Sequence, residues 1–257
     1  MSSSYTAFID SGIGGVSVLA DARRLLPQEN FIYFGDELNA PYGSKTTKEV
    51  ITLLVHNIGL MSDAYTLKMI LLACNTATAA AADQLRQDIS LPILGMEPAI
   101  KPAVEQVSGQ IVVLGTKLTL REQKFHSLLD STANNREVVL LPCPGLMEII
   151  EEDPCDLKAR DYLLAVLNPY RQSVQALVLG CTHYVFVLPW LQKICPQAQI
   201  FNGNSGVCQN LQRTLQTLNL MGGEGNTIYL STLADSDGQQ NFAAKCRRYY
   251  DYYLHLT

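Results

Sequence analysis

Leu177-Val178-Leu179-Gly180-Cys181-Thr182-His183 is an apolar run that stops on a glycine and passes into a small polar turn. A short apolar run closed by turn residues reads as a buried strand entering a loop. The same pattern occurs in Phe8-Ile9-Asp10-Ser11-Gly12, in Leu71-Leu72-Ala73-Cys74-Asn75-Thr76 and in Val112-Val113-Leu114-Gly115-Thr116. Asp10 precedes Cys74 by 64 residues, Thr116 precedes Cys181 by 65, and the two cysteines are 107 apart. Two polar turns in register point to an internal duplication. Two similar lobes would then each offer one strand-end thiol, and across a cleft the two thiols could flank one ligand.

Working outward, further short apolar runs alternate with amphipathic ones. Strands are expected at Thr6–Ile9, Phe31–Phe34, Met69–Leu72, Pro92–Leu94, Gln110–Leu114, Glu137–Leu141, Ala176–Leu179, Gln199–Phe201 and Thr227–Leu230. Helices are expected at Gly15–Leu26, Thr46–Ala64, Ala77–Gln87, Ala99–Val107, Leu120–Leu129, Gly145–Glu152, Leu157–Leu167, Val187–Ile194, Ser205–Leu218 and Gly238–Tyr250. This alternation predicts an α/β fold of mainly parallel sheets flanked by helices on both faces. Ligands in such folds bind beyond the carboxyl ends of the strands. A lobe boundary is expected near Glu97-Pro98, and the strand–helix unit after about Asn204 exceeds what a second lobe needs.

The 257 residues are 47% apolar and 17% charged, with a net charge of −5. That composition excludes disorder as the main state. No apolar run approaches a membrane span, and no basic stripe marks a nucleic-acid surface. Seven cysteines, an odd number, make a disulfide framework a poor reading. Met1-Ser2-Ser3-Ser4-Tyr5-Thr6 shows no leader pattern, so reduced thiols in a cytoplasm are expected.

Two thiols facing one carbon suit inversion of a stereocentre: one thiolate removes a proton and the other thiol returns one on the far face. Helix N-termini at the strand–helix turns can raise the thiolate fraction. Cys74 and Cys181 are equally the kind of residue that fills a core. Asp10-Ser11-Gly12-Ile13-Gly14-Gly15 is either a helix cap or an anion-holding turn with Asp10 as proton relay. Gly35-Asp36 and Pro41-Tyr42-Gly43-Ser44 read as a proline-favoured turn, or as a rigid loop offering N–H groups and a hydroxyl to a carboxylate. Asn75, Thr76 and Thr182 could add neutral donors for an anionic intermediate. His183 could orient or protonate Cys181, and Cys181-Thr182-His183 lacks the second cluster a metal site needs. Glu148, Glu151 and Glu152 read as a solvated helix face. Cys143, Cys155, Cys195, Cys208 and Cys246 read as packing or incidental thiols.

Taken together, these motifs resemble the glutamate racemases of the cofactor-independent aspartate/glutamate racemase superfamily. The likeness runs through Asp10–Gly15, Gly35-Asp36, Pro41-Tyr42-Gly43, Ala73–Thr78, Glu97-Pro98, Gly115-Thr116 and Gly180–Tyr184. It implies two pseudo-symmetric α/β lobes with the site in the cleft between them, residues 1–97 plus 208–257 forming one and 98–207 the other. It implies Cys74 and Cys181 as proton-transfer groups, with Asp10 assisting the first and His183 the second. A further acidic residue eight positions after Cys143-Pro144 falls on Glu151, with Glu152 as its neighbour. Ser11, Pro41, Tyr42, Gly43, Asn75, Thr76 and Thr182 match substrate-holding positions beside the four proton-handling ones. The resemblance implies a glutamate substrate, no cofactor and no metal. It also implies a supply of D-glutamate for peptidoglycan and, as the family often forms them, a homodimer. Thr78 and His183 favour glutamate, since aspartate racemases tend to carry His and Glu there. Val185, Asn204-Ser205-Gly206, Glu122 and Phe125 depart from the usual pattern. The competing readings are a racemase of aspartate or another acidic amino acid and a non-catalytic amino-acid-binding relative.

Overall fold

The computed structural model describes residues 4–132, 136–233 and 235–257; Met1–Ser3, part of the stretch read above for a leader, lies outside them. The described residues contain nine strands: β1 Ser4–Asp10, β2 Phe31–Gly35, β3 Thr66–Leu72, β4 Ile93–Gly95, β5 Gln110–Gly115, β6 Val138–Pro142, β7 Val174–Gly180, β8 Gln199–Phe201 and β9 Thr227–Ser231. Between and after them run α1 Val16–Leu25, α2 Thr47–Ala64, α3 Asn75–Asp88, α4 Ile100–Gln106, α5 Lys117–Arg121, α6 Gln123–Thr132, α7 Leu146–Glu152, α8 Leu157–Leu167, α9 Leu188–Ile194, α10 Asn204–Thr217 and α11 Ser236–Leu256.

The strands form two parallel sheets, ordered β4-β3-β1-β2-β9 and β6-β5-β7-β8. Read from its other edge, the second order is 8-7-5-6, which repeats 4-3-1-2 strand for strand. The repeat extends to an irregularity in register: β1 and β3 shift between Tyr5 and Thr6, and β5 and β7 shift between Gln110 and Ile111. The extra strand β9 lies beside β2 in the first sheet.

Alternate side chains of each central strand enter different cores, as the pleat requires. In β1, Phe8 faces the core that holds α1, α10 and α11, while Ala7 and Ile9 face α2 and α3. In β5, Val112 and Leu114 join that same first core, while Ile111 and Val113 face a third one with Ile100 and Phe125. One continuous core therefore runs beneath both sheets, and each sheet keeps a private core on its outer face.

Two expected helices differ from the structure. The single helix at Leu120–Leu129 is two, α5 and α6. Thr116 starts the first early by accepting the Thr119 N–H on its hydroxyl, and Glu122 breaks the run with an extended backbone (ψ 140°). The Glu122 carboxylate there accepts from the Thr47 hydroxyl at 2.5 Å. The last helix runs on to Leu256 rather than stopping at Tyr250. Tyr253 holds the added turns: it packs edge-on against Phe186, and its hydroxyl donates to Asp21 at 2.9 Å.

Candidate active site

The carboxyl ends of the central strands of the two sheets face each other. Asp10 ends β1, Cys74 lies two residues beyond β3, Thr116 follows β5 directly, and Cys181 follows β7 directly. Hydrogen bonds cross between these ends. The Thr182 hydroxyl donates to Asp10 Oδ2 at 3.1 Å. The Thr76 hydroxyl lies 3.0 Å from those of both Thr116 and Thr119. A Cβ on Gly43 would come within 2.7 Å of the Thr116 Cβ, so the Pro41–Gly43 loop lies directly against the second set of turns.

Cys74 is the N-cap of α3, and its Sγ accepts the Ala77 N–H at 3.4 Å. The helix N-terminus does not produce the easily ionised thiol expected there. Burial pushes the Cys74 thiol up to about 12, the charge of Asp10 pushes the same way, and the Ala77 N–H only partly opposes them. Asp10 itself is fully buried and accepts the Gly12 N–H at 2.8 Å. Burial raises its carboxyl above the ordinary value, against the opposing pull of His183, the Gly12 N–H and the Thr182 hydroxyl. The Cys74 side of the site thus favours protonated groups.

The Cys181 side is organised differently. Cys181 leads into a 3₁₀ turn, Thr182–Val187, without a capping bond. Its Sγ lies 3.8 Å from His183 Nδ1, and His183 Nε2 lies 2.8 Å from Glu151 Oε1. Burial alone would push this imidazole down, but the hydrogen bonds and charges of Cys181 and Glu151 hold it well above its usual value. Burial pushes Glu151 up, yet the hydrogen bonds and charges of His183 and Lys245 bring its carboxyl down to about 2. The two shifts agree on one ion pair, an imidazolium against a carboxylate. Glu151 is therefore not part of a solvated face, whereas Glu148 and Glu152 are exposed. Glu152 points to Lys158 at 3.6 Å, so it is Glu151 that meets His183.

Asn75 is buried, and neither its amide oxygen nor its amide nitrogen finds a hydrogen-bond partner among the described residues. A buried amide with both ends unpaired is costly unless a ligand supplies partners. The neighbouring hydroxyls are already spent: Thr76 on Thr116 and Thr119, Thr182 on Asp10, and Thr78 on the Leu72 carbonyl at 3.3 Å. Tyr42 corrects an expectation, because its hydroxyl donates to Asp36 Oδ2 at 2.7 Å and Ser44 donates to the Pro41 carbonyl. What the Pro41–Ser44 loop can offer a ligand is its backbone. Ser11 is buried within the turn after β1, and the Gly12 carbonyl in that turn is held by the Tyr33 hydroxyl at 2.8 Å.

Two participants, Lys245 and Glu37, escaped the sequence, which singled out Asp36 within its loop but gave it no role. Asp36 is fully buried and gathers Tyr42, Asn39 and Asn57. Lys245 reaches Glu151 from α11, and Glu37 holds Lys245 from its other side. Lys245 sits in an amphipathic helix with no local motif, so its partners 94 and 208 residues away are invisible in the chain. All seven cysteines are free, and of the seven only Cys155 is exposed. Among the described residues, no group of three or more His, Cys, Asp or Glu side chains could hold a metal ion. None of their helices is long and apolar enough to cross a membrane.

The family model for Asp/Glu/hydantoin racemases matches residues 19–209. The glutamate racemase of Clostridium perfringens is 44% identical over 220 residues, which are 83% of this chain and 84% of that protein. The structure of glutamate racemase from Thermus thermophilus in complex with beta-chloro-D-alanine superposes with a TM-score of 0.81 at 30% identity, covering 95% of this chain and 93% of that one. The Escherichia coli glutamate racemase in complex with L-glutamate and the activator UDP-MurNAc-ala gives 0.82 at 25% identity, covering 98% and 96%.

Proposed function

Because the chain belongs to the Asp/Glu/hydantoin racemase family, we propose that it interconverts L- and D-glutamate by exchanging protons between Cys74 and Cys181. The observation that carries this reading is the pair of buried thiol turns, at the facing ends of two repeated sheets, around the unpaired amide of Asn75. The glutamate substrate rests on the relatives, whose named substrate is glutamate.

In the proposed cycle one cysteine thiolate takes the α-proton, and negative charge spreads from the α-carbon into the carboxylate. The opposite thiol delivers its proton to the other face. The α-carbon inverts, and the two sulfurs end with their protonation exchanged. His183 Nδ1 lies 3.8 Å from the Cys181 sulfur, while burial beside Asp10 favours a proton on Cys74. Asp10 and His183 then assist their neighbouring sulfurs, and Glu151 holds His183. Asn75 pairs with the substrate's polar groups, with Ser11, Thr76, Thr182 and the backbone of Pro41, Tyr42 and Gly43 shaping the rest of the pocket. Cys74 and Cys181 are only 5% and 8% exposed, so the facing strand ends must part for glutamate to enter.

The same reading takes residues 1–97 with 208–257 as one lobe and 98–207 as the other. It places the enzyme in the cytoplasm as a homodimer that supplies D-glutamate for peptidoglycan. Circular dichroism of D-glutamate and D-aspartate solutions, followed in parallel, tests the substrate. Solvent deuterium entering the α-carbon tests the chemistry. Cys74→Ala and Cys181→Ala should each lower racemisation by roughly 10²–10⁴-fold or more, the usual cost of losing a general base. Near-native rates in either variant would end the two-thiol reading, and faster aspartate turnover would end the glutamate one.

A further inference from the structure

We propose that Lys245 is a positioning residue for the Cys181 half of the site, acting through Glu151 on His183. The inference rests on the racemase reading of that site. Lys245 Nζ lies 2.7 Å from Glu151 Oε2, while the other carboxylate oxygen, Oε1, accepts from His183 Nε2 at 2.8 Å and from the Ile13 N–H at 3.3 Å. His183 Nδ1 continues to the Cys181 sulfur at 3.8 Å. Three contacts therefore join Lys245 to a reacting thiol that it does not touch.

The carboxylate geometry explains what Lys245 does. The terminal torsion of a glutamate is broad and roughly two-fold, so nothing intrinsic tells Glu151 which oxygen faces His183 or at what angle. Occupying Oε2 with an ammonium leaves Oε1 for the imidazole and fixes the plane of the group. Outer partners of this kind orient imidazoles in metal sites by the same logic. Glu37 Oε2 holds the same ammonium at 3.3 Å from the opposite side, so Lys245 stays between the two carboxylates. Without it the two would face each other, and their mutual repulsion already contributes to the raised carboxyl of Glu37, after burial.

The elements are also well chosen to hold a fixed geometry. Tyr249, one turn further along α11, donates its hydroxyl to the Ile150 carbonyl at 2.5 Å, so the helix that carries Lys245 is tied to the residue beside Glu151. Lys245 is largely covered, with 24% of its side chain exposed, and is not a mobile surface cation.

The test uses the full-length enzyme and two readouts. In steady-state racemisation, Lys245→Gln should lower kcat roughly tenfold, the scale of a hydrogen bond to a charged group, with KM within about twofold. Lys245→Arg should recover most of the rate. In a Glu151→Gln background the Lys245→Gln change should add less than about twofold, since the path through Glu151 is already cut. In proton NMR, the hydrogen-bonded imidazole N–H resonance of His183 should move upfield or broaden in Lys245→Gln and persist in Lys245→Arg. An unchanged resonance, an unchanged kcat, or a Lys245 effect undiminished in Glu151→Gln would overturn the proposal. The resonance does not depend on turnover, so an enzyme that fails to racemise glutamate would defeat the substrate reading separately.

Discussion

Replacing Glu151 by glutamine removes one charge and nearly no volume, and its cost can be worked from the site. The Glu151 carboxyl is brought from 4.5 to about 2 on folding. At about 1.4 kcal/mol per unit, that difference corresponds to roughly 3 kcal/mol of stability. Breaking a buried pair by deleting one partner costs on the order of 3–5 kcal/mol, which agrees. The two partners set the pH window. Glu151 is depressed, so its share is complete above about pH 4.5 and is lost as pH falls through about 2. His183 is raised above 6.5, so its share is complete below about pH 6.5 and is lost as pH rises through its folded value. The gap between wild type and Glu151→Gln should therefore be widest between about pH 4.5 and 6.5. Urea unfolding at pH 5.5 should show a deficit of about 3 kcal/mol, narrowing to about 1.4 kcal/mol at pH 3. A deficit under about 1 kcal/mol at pH 5.5, or an equal one at both pH values, would refute the ion pair as its source.

Of three further substitutions, two lie in the walls of the site and one, Gly59→Ala, on an exposed helix face. A methyl group on Gly14 would run into His183 Nδ1 and approach Thr182 Oγ1 at 2.5 Å, so Gly14→Ala should lower kcat by roughly 10²-fold, as misplaced catalytic groups do. Gly59→Ala, with nothing within 4 Å, should instead raise the unfolding free energy measured in urea by about 0.5–1 kcal/mol and leave kcat unchanged. Asp36→Asn puts an amide where Tyr42, Asn39 and Asn57 all donate; unfolding should show a loss of roughly 2–4 kcal/mol, together with a raised KM for glutamate. An unfolding free energy within about 0.5 kcal/mol of wild type would show that the carboxylate does not organise the Tyr42 loop.

The strands were legible because each is a short apolar run ended by glycine or a polar turn. Gln199–Phe201 agrees to the residue, and Phe31–Gly35 and Thr227–Ser231 differ by one from the expected spans. Buried parallel strands leave this signal since both faces are covered. The helix at Leu120–Leu129 was misread because its break at Glu122 answers to Thr47, 75 residues earlier, and not to any helix-breaking residue nearby. The 3₁₀ turns at Glu37–Asn39, Tyr42–Ser44 and Thr182–Val187 are too short to leave a period. Glu151 read as a surface acid from its helix alone, and only the family resemblance singled it out.

By itself the sequence determined where the strands end and that two thiol-bearing turns recur at a common spacing. Those are local patterns, written by burial along a few consecutive residues. The tertiary structure decided which charges meet: Glu151 with His183 and Lys245, and Asp10 with Thr182 across 172 residues. It also decided that the Cys74 thiol is held protonated by burial and by Asp10, against the pull of the helix it caps. A hydrogen bond or a Coulomb term depends on distances of a few ångströms and on exclusion of water, and neither exists until the two sheets have packed.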